Sequence, residues 1–523
     1  MLSSQPTYLP PDERDREIFR VTVPEDHHLR RVKDVIDFER LRPILADAYC
    51  DDQGRPAIEP LLLLKLEFLQ YQYNHSDRQV IKHARCNMAY RYFLDLNLYS
   101  SLPHHTLLTY FRQRLGMERH QQVFDAVVGQ ARERGLVKDR LRLKDATHVI
   151  ANVAIPTTIG LVAQTREKLL QALAPWAPAE VSQQEQRAEQ IRQSTADLSG
   201  EERLLQRVVH LRELVAWAQV VQSSAEFGAA LPLEQQPLKE ALALASKVLD
   251  DRDDPDGKDH VRSVHDPEAR YAKHGSFYVG YLVDVSLDAD SQIITAMNVV
   301  PAGANEGADA VTLLRREEQA HDNDVQAMSM DSAGFQGPLL RTLTDPDGLK
   351  VEVFVPPRKP VCQQEFQPEH FTLSADEHSL TCPAGQTSTA RRRHPKAGWQ
   401  FHFARSTCVA CPLRSCCVPK LPKSTGRTVF KSDYEKDFQA ARAKAQTPAY
   451  ARVRSEHPSI ERKIGELVRW HGARRARYWG QTRVLVQQLL TGLVVNIKRV
   501  VKLLVDPGGG GGGIVRAVGV ETG

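Results

Sequence analysis

The sequence predicts an α/β protein in which a mixed sheet is preceded by one all-helical part and interrupted by another. From Gly280 onward, apolar residues alternate with period two, and these stretches are separated by helical patterns, which indicates strands and helices of one mixed sheet. Residues 28–116 and 161–248 instead carry apolar residues at helical spacing. The predicted fold class is therefore an α/β core with added helical segments.

Length and composition restrict the class of protein. A chain of 523 residues is too long for one ordinary core and indicates several domains. Its hydrophobic content of 41% and charged content of 26% are typical of soluble globular proteins. The N-terminal residues lack a secretory signal, and charged residues interrupt the long apolar runs. We therefore expect a cytoplasmic protein without a membrane span, whose eight cysteines are thiols or metal ligands.

Shifts in composition and periodicity divide the chain into segments. These are an N-terminal tail (1–27), a helical DNA-binding or dimerisation domain (28–120), the first parts of the α/β core (136–160 and 262–360), a helical insertion with an acidic linker (161–261), a cysteine-rich insertion (361–440), the C-terminal helices of the core (441–505) and a glycine-rich tail (506–523).

The helical domain is the first segment with a predicted structure. A short helix is expected from Leu102 to Gly116, with Arg112 and Arg114 exposed. Cys50 and Cys86 fall in apolar helical patterns, and we expect them to pack in the core. Short helices joined by polar turns are typical of a helix-turn-helix-like DNA-binding domain and of a dimerisation domain, and the residues leave both interpretations open.

The stretch LRLKDATHVIAN predicts a strand that carries an acid on its apolar face. Side chains alternate across a strand, so Leu141, Leu143 and Asp145 share one face, while Arg142 and Lys144 lie on the other. A carboxylate buried without a partner costs several kcal/mol or raises its pKa until it takes up a proton. We therefore expect a compensating charge near Asp145.

The remaining core elements follow in order along the chain. A hairpin is predicted over Gly280–Gly303 with its turn at Asp288–Ser291, and ADAVTLLRREEQA predicts a helix. A third strand is expected to end at Asp331, before a helix from Pro338 and a short strand from Lys350. A later helix in SIERKIGELVRW carries an apolar stripe made of Ile460, Ile464, Leu467 and Val468.

Three acids on these elements form a candidate metal site. Asp145 lies in one strand, Asp331 ends another and Glu461 begins a helix, and such positions can converge at one sheet edge. Two divalent cations held there would supply the charge that Asp145 needs and would clamp the attacking and leaving oxygens of a phosphoryl transfer. For each acid taken singly, a helix cap or a surface charge is the more common role.

The cysteine-rich insertion has the spacing of a structural zinc site. Cys408 and Cys411 form a C-x2-C hook, Cys382 precedes them, and Cys416 and Cys417 follow. Because tetrahedral zinc takes four ligands, Cys416 and Cys417 compete for the fourth place. We favour zinc over free thiols, since the segment is expected to be too short to build a hydrophobic core of its own.

A basic and aromatic segment lies near the C-terminus. Arg474, Arg475 and Arg477 follow Gly472, a predicted helix cap, and precede Trp479. Interleaved cations and aromatic rings suit a phosphate backbone and unstacked bases. A solvated helix face is an equally good interpretation of the arginines, and core packing is the more common role of such a tryptophan.

The order of these motifs resembles that of bacterial insertion-sequence transposases of the DDE type. The matching stretches are, in chain order, RPAIEPLLLLKLEFLQY, AYRYFL, KDATHVIAN, HDPEARYAKHG, GYLVDVS, MDSAGFQG and IERKIGELVRWHGARRARYWG. The resemblance spans about residues 28–504 and rests on this shared order. It implies an RNase H-like catalytic core with Asp145, Asp331 and Glu461 as the metal-binding triad, and a zinc-ribbon-like insertion between the last two acids.

The resemblance also implies an activity, cofactors and partners. Such an enzyme cleaves phosphodiester bonds at the ends of its mobile element and joins the 3′-hydroxyl to target DNA, with two Mg²⁺ or Mn²⁺ ions per active site. Its partners are double-stranded DNA (terminal inverted repeats and target) and further copies of the chain, as a homodimer or higher oligomer in the DNA complex. It is expected in the bacterial cytoplasm, at the nucleoid when bound. The residues expected to contact DNA are Arg112, Arg114, Arg469, Arg474, Arg475, Arg477 and Trp479.

The chain departs from the family pattern around the glutamate. Many relatives place a tyrosine and an arginine before this acid and a lysine seven residues after it, whereas here His457 and Arg454 stand upstream and Val468 stands downstream. Glu466 is a rival for Glu461. Five residues of a helix span roughly 140°, so both acids cannot face one site.

Two other functions stay open beside the transposase. One is a non-catalytic DNA-binding relic of a transposase, and the other is a metal-dependent DNA nuclease that does not join strands. Metal-dependent nicking separates an active enzyme from a relic, and joined products separate a transposase from a nuclease. All three triad positions are filled, which favours the transposase.

Overall fold

The computed structural model describes residues 8–50, 57–257, 259–305, 307, 309–358, 365–420 and 424–505. The predicted glycine-rich tail, 506–523, lies outside these ranges. The chain forms two compact units. Unit 1 comprises residues 1–138, 146–304 and 461–523, and unit 2 comprises residues 139–145 and 305–460. Each unit is therefore assembled from segments that are distant in the sequence.

The N-terminal part of unit 1 is all-helical, as predicted. Its helices are α1 (Glu13–Thr22), α2 (His28–Val35), α3 (Arg42–Ala46), α4 (Pro60–Gln72), α5 (Asp77–Cys86), α6 (Met88–Phe93) and α7 (Thr106–Glu133). The predicted tail thus contains a helix, which buries Phe19. The predicted helix end at Gly116 is confirmed as a kink within α7, because Gly116 has the non-helical angles φ +64° and ψ −174°, which glycine adopts without a Cβ clash, and a second helical segment follows it.

The prediction that Cys50 and Cys86 pack in the core is wrong. Both cysteines are exposed. Helix α5 buries Val80, Ile81 and Ala84, so Cys86 at its last position stands outside the apolar stripe. The apolar pattern identified α5 correctly but not the face that Cys86 occupies, whereas Cys50 lies after the end of α3 and outside any helix.

Strand β1 (Arg142–Ile150) runs from unit 2 into unit 1, where β3 is its neighbour. The strands β2 (Arg270–His274), β3 (Ser276–Asp288) and β4 (Ile294–Pro301) pair antiparallel. The predicted hairpin is confirmed, and Ser291 donates from its backbone N–H to Asp288 Oδ2 at 2.8 Å in the turn. A Cβ on Gly280 would lie 1.9 Å from the Val149 carbonyl oxygen, so this position beside β1 accepts only glycine.

The segment predicted as a helical insertion consists of several packed helices. It contains α8 (Thr158–Leu173), α9 (Pro178–Ser194), α10 (Gly200–Gln222), α11 (Ala225–Ala229) and α12 (Pro232–Asp253). These helices bury their own apolar cluster, which includes Leu169, Leu211 and Leu238. The start of the predicted acidic linker is the last turn of α12.

In unit 2, the first residues of β1 belong to a set of parallel strands. The elements are α13 (Ala310–His321), β5 (Ala327–Ser329), α14 (Gly337–Thr344) and β6 (Glu352–Phe354). β5 pairs parallel with both β1 and β6. Antiparallel and parallel pairings therefore both occur in the protein, which confirms the predicted mixed sheet.

The cysteine-rich insertion contains two small antiparallel sheets. Its elements, with the two helices that follow, are β7 (Thr372–Leu373), β8 (Leu380–Thr381), β9 (Thr387–Ser388), β10 (Arg391–His394), β11 (Gly398–His402), α15 (Arg405–Val409), α16 (Arg414–Cys417), β12 (Thr428–Ser432), α17 (Glu435–Lys444) and α18 (Pro448–Glu456). Phe371, Leu380, Phe401 and Val429 form an apolar cluster within it. The expectation that this segment lacks a core of its own is therefore wrong.

Two helices complete the chain, α19 (Pro458–Trp470) and α20 (Gln481–Val505). The stripe predicted for α19 is confirmed at Ile460 and Leu467, which are both buried. By length and composition, α20 is the one described helix that could span a membrane. However, 89% of its most apolar stretch is buried within the protein. The Asn496 side chain exchanges two 2.8 Å hydrogen bonds with the backbone of Ile294, as a core helix packed on β4 would.

Candidate active site

Asp145 lies within β1, and Asp331 lies just after the end of β5, its parallel neighbour. Leu143 of β1 is in register with Ser329 of β5, and each acid lies two residues further along its chain. Adjacent strands are about 4.8 Å apart, and residues two positions apart share a face. The structure therefore brings together two of the three predicted acids, and both belong to unit 2.

The surroundings of Asp145 differ from the predicted one-sided burial. Leu143 is buried as expected, but Arg142 on the opposite face is also fully buried. Arg142 donates to the Glu317 carboxylate at 2.6 Å and to Asp139 at 3.0 Å, so its charge is compensated inside unit 2. Asp145 itself is only half-buried. The desolvation cost that the alternation predicted for Asp145 is correspondingly smaller, because partial contact with water stabilises the charged form.

Asp331 begins a turn immediately after β5. Its Oδ1 accepts a hydrogen bond from the Ala333 N–H at 3.0 Å, which fixes the carboxylate at the strand end. Arg454 donates to the Met330 carbonyl oxygen at 2.7 Å and to Ser329 Oγ at 3.1 Å. An arginine from α18 is therefore bound to the two residues that precede the acid.

His457 meets the same strand end. Its Nδ1 lies 3.1 Å from Ser329 Oγ, and the side chain is buried. Burial, and secondarily the positive charge of Arg454, lowers the pKa of His457 to about 4. The two upstream positions at which the chain departs from the family pattern thus converge on Ser329, a residue that the sequence did not single out.

Glu461 and Glu466 have opposite surroundings on α19. Glu461 is exposed, and its carboxylate makes no hydrogen bond or ion pair within the described parts of the chain. Glu466 accepts from Lys463 and from Lys498, each at 3.0 Å. Burial raises the pKa of Glu466, but the two lysines outweigh this effect and lower it below its ordinary value. Glu466 is therefore engaged in ion pairs, whereas Glu461 is accessible to a ligand.

The carboxylates of Asp145, Asp331 and Glu461 are the right type of ligand for a divalent cation, but they are not grouped as three. Oxygen ligands of this type are those that Mg²⁺ and Mn²⁺ prefer. Among the residues that the structure describes, no group of three or more His, Cys, Asp or Glu side chains is arranged to hold a metal ion. Glu461 belongs to unit 1, so the pair that the structure itself places together is Asp145 with Asp331.

Two arginines that were predicted to contact DNA are bound to the protein itself. Arg474 donates to the His148 carbonyl oxygen at 2.7 Å, and burial lowers the pKa of its guanidinium. Arg477 donates to the His75 carbonyl oxygen at 2.8 Å and to Asn74 Oδ1 at 2.5 Å. Both guanidinium groups therefore stabilise the fold of the 472–479 segment.

The same segment also carries one exposed cation. Arg475 is exposed, and so is Arg469 at the end of α19. Gly472 adopts φ +70°, which fits the predicted cap. Trp479 is 47% exposed, and its indole N–H donates to the Asn152 carbonyl oxygen at 3.0 Å. Arg469 and Arg475 are consequently available to a phosphate, whereas Trp479 is partly held by the protein.

The exposure predicted for Arg112 is wrong, and that for Arg114 is confirmed. Arg112 is buried and forms ion pairs with Glu67, at 3.2 Å, and with Asp77. Arg114 is exposed and lies over the Tyr49 ring. The helical pattern around Arg112 and Arg114 does not show that Glu67 of α4 pairs with Arg112.

The thiol of Cys417 lies within electrostatic range of Cys382, Cys408 and Cys411, and burial raises its pKa. Cys382, Cys408 and Cys417 also pack in one apolar cluster, whereas the Cys416 sulfur contacts the Ser415 hydroxyl. The four thiols are near each other. Among the described residues, however, they are not arranged with the geometry of metal ligands. The competition for the fourth place therefore favours Cys417.

One backbone contact supports a thiolate role for Cys408. The Arg427 N–H points at Cys408 Sγ at 3.3 Å, and a Cβ on Gly426 would lie 2.6 Å from the same sulfur. An N–H that donates to sulfur stabilises a thiolate, and outer contacts of this kind orient metal ligands. The glycine is needed because the backbone approaches the sulfur closely.

Two family models match the chain. The model described as "Transposase domain (DUF772)" matches residues 17–114, from α1 into α7. The model described as "Transposase DDE domain" matches residues 381–501, a range that includes Glu461 but neither Asp145 nor Asp331. No curated protein and no solved structure matches the chain significantly.

Proposed function

The chain belongs to the insertion-sequence transposases of the DDE type, and from this premise we propose that it binds the ends of its element, cleaves a phosphodiester there and joins the freed 3′-hydroxyl to target DNA. The observation that supports this proposal is the parallel register of β1 and β5, in which Leu143 is paired with Ser329 and Asp145 and Asp331 each follow two residues later. The exposed, unengaged carboxylate of Glu461 is the third proposed member.

Asp145 and Asp331 would hold divalent cations, two per active site with Glu461, and these ions would supply charge neutralisation and Lewis-acid assistance to the displacement. The protein's own part is positioning. The Ala333 N–H orients Asp331, and Arg454 holds the backbone of Met330, so the acid has little freedom at the strand end. Orientation of this kind contributes strongly to phosphoryl transfer, because there is little covalent work for side chains to do.

DNA binding is assigned to exposed cations. Arg114, Arg469 and Arg475 remain candidates for phosphate contacts, whereas Arg112, Arg474 and Arg477 are engaged within the protein. Two ends must be brought together for transposition, so we propose a homodimer or higher oligomer on DNA. The same activity places the protein at the nucleoid, in the cytoplasm.

A structural Zn²⁺ is proposed in the cysteine-rich insertion, with Cys382, Cys408, Cys411 and Cys417 as its ligands. The proximity of the four thiols and the N–H donor at Cys408 support this assignment. Zinc would tie the α15–α16 turn to the β8 end, and the small apolar cluster beside it would be stabilised in consequence.

The experiment compares Asp145→Asn with Asp347→Asn, an exposed aspartate of the same unit. The substrate is a supercoiled plasmid that carries the DNA flanking the coding region. Asp145→Asn should abolish Mg²⁺-dependent nicking and leave DNA binding nearly intact, because it removes a metal ligand and not a phosphate contact. Asp347→Asn should behave as the wild type. An Asp145→Asn protein that nicks normally contradicts the assignment.

The products of the same reaction distinguish the remaining functions. Nicked but never joined DNA would indicate a nuclease. A wild-type protein that binds DNA and never nicks it, with either Mg²⁺ or Mn²⁺, would indicate a relic.

A further inference from the structure

A cavity of about 790 Å³ lies along the outer face of α19. Its lining consists of Glu461, Arg462, Gly465, Glu466, Arg469, Trp470 and Lys498, all within unit 1. Glu461 and Glu466 therefore border the same cavity, so the expectation that these two acids cannot face one site is wrong for it. The proposed catalytic acid thus shares a cavity with arginines and a tryptophan. The proposed activity accounts for the acid, but it does not account for the other residues.

Trp470 is the most exposed tryptophan of the described residues. It is 69% exposed, and neither its indole N–H nor its ring has a hydrogen-bond or ring partner within the described ranges. A large aromatic surface in water, rimmed by polar residues, marks an interaction site. Trp479, nine positions later, is less exposed and donates to Asn152.

Gly465 lines the cavity and leaves the backbone of α19 uncovered there. It lies inside α19, where glycine is less favourable than alanine. A Cβ built on Gly465 would meet no atom within 4 Å, so no neighbouring side chain requires a glycine there. A helix-interior glycine that faces open space lets a ligand approach the helix backbone closely.

The charges around the cavity suit an anion beside an aromatic surface. Arg462 and Arg469 are exposed and have no ion-pair partner in the described part of the chain. Glu466 is compensated by Lys463 and Lys498, so it offers little repulsion. An unstacked nucleotide presents both features, since its base has a flat π-face and its phosphate is negative.

We propose that this cavity binds one unpaired nucleotide of the DNA strand, with its base stacked on Trp470 and its phosphate between Arg462 and Arg469. The sugar-phosphate backbone passes over Gly465, beside Glu461. This proposal rests on the proposed DNA transposase function. It assigns base stacking to Trp470 in place of Trp479, the residue that the sequence suggested.

The experiment measures binding of the full-length protein to a short single-stranded oligonucleotide that contains 2-aminopurine. Stacking on the indole should quench the 2-aminopurine fluorescence. Trp470→Ala should weaken binding about 5- to 150-fold, which corresponds to ~1–3 kcal/mol of stacking per base. Trp470→Phe should restore most of the loss, and the control Trp479→Ala should retain the quenching.

Gly465→Ala gives a readout that a structural role would not produce. Alanine should raise the thermal stability of the protein, because it favours the helix, and yet weaken oligonucleotide binding by covering the floor of the cavity. Equal binding by Gly465→Ala and the wild type would overturn the close approach of the ligand to α19.

Duplex binding and metal-dependent nicking by the wild type distinguish the two levels of failure. If the wild type binds and nicks duplex DNA but Trp470→Ala binds the oligonucleotide normally, the nucleotide site is wrong and the transposase function stands. If Trp470→Ala instead changes only the oligomeric state, the cavity is a protein interface and the proposal is overturned. A wild type without any DNA binding overturns both.

Discussion

The outer face of α19 and the segment from Gly472 to Trp479 are neighbours in the sequence and share two residue types. Both carry arginines and a tryptophan. In the α19 face, Arg462, Arg469 and Trp470 are exposed and have no partner in the described residues. In the later segment, two of three arginines and the indole N–H bind backbone carbonyls. Composition therefore indicates that a surface is basic and aromatic, but the hydrogen-bond partners decide whether it is free for a ligand.

The largest expected difference lies between the two glutamates of α19. Glu461→Gln should reduce metal-dependent nicking by roughly a thousandfold or more, since a lost metal ligand removes several kcal/mol of charge stabilisation. Glu466→Gln should leave the chemistry intact and cost about 1 kcal/mol of stability through its lysine pairs. Nicking rates and thermal unfolding measure the two effects. An inactive Glu466→Gln beside an active Glu461→Gln would place the acid one turn later than proposed.

Neighbouring cysteines extend the comparison to unit 2. We expect about one zinc per wild-type chain, lost in Cys417→Ser and kept in Cys416→Ser, because the Cys417 side chain packs with Cys382 and Cys408 in one apolar cluster. Metal analysis of the purified proteins provides the measurement, and thermal unfolding should show a lower stability for Cys417→Ser alone. A wild type without zinc, whose eight cysteines all titrate as free thiols in the native state, would rule the site out.

Two arginines of the 472–479 segment should separate stability from binding. Arg477→Ala should lower the free energy of unfolding by about 2 kcal/mol, because it removes charge-assisted hydrogen bonds to His75 and Asn74. Arg475→Ala should change stability by less than about 0.5 kcal/mol and reduce the salt slope of DNA binding by roughly one unit. Denaturant titrations and a salt series test both. An Arg475→Ala protein with an unchanged slope would show that this cation is merely solvated.

The smallest expected effect concerns His471, between the two compared regions. Its Nδ1 lies 2.9 Å from the Tyr71 carbonyl oxygen, and its Nε2 lies 3.1 Å from Lys498 Nζ. Burial, aided by Lys498, lowers the pKa of His471 in the folded state. A histidine with a lowered pKa contributes stability above the unfolded value near 6.5, and this contribution is lost as the pH falls below that value.

We therefore expect the free energy of unfolding to fall between pH 7 and pH 5, and His471→Asn should flatten part of that decline. The control is His104→Asn, since His104 is exposed and should leave the slope unchanged. Denaturant titrations at each pH provide the measurement. Identical slopes for the wild type and His471→Asn would show that the buried imidazole does not govern this pH dependence.

The parts of the fold that the sequence predicted are those set by local periodicity. The stripe of α19 and the hairpin with its turn at Asp288 follow from spacings of a few residues, and both are present. The helical segment after Gly116 and the helix within the predicted tail were missed. The sequence correctly predicted an end at Gly116, where the backbone leaves the helical conformation, but α1 is held by the burial of Phe19, which no local pattern displays.

The candidate site divides in the same way. The strand that contains Asp145 and the strand that ends just before Asp331 were predictable, because both have clear alternation. The clustering of Arg454, His457 and Ser329 was not predictable, because these side chains meet only after β5 and α18 have packed within unit 2.

By itself, the sequence determined the classes of element, the mixed sheet, the order of the three acids and the family. Periodicity and motif order can be recognised in the sequence without knowledge of distant contacts. Only the tertiary structure decided which charges are available, because the partner of a charged side chain usually comes from elsewhere in the chain. Arg112 pairs with an acid of α4 and Arg142 with an acid of α13, and Arg477 donates to a loop after α4. Desolvation is favourable only when such partners are present, so burial of a charge cannot be read from its own segment.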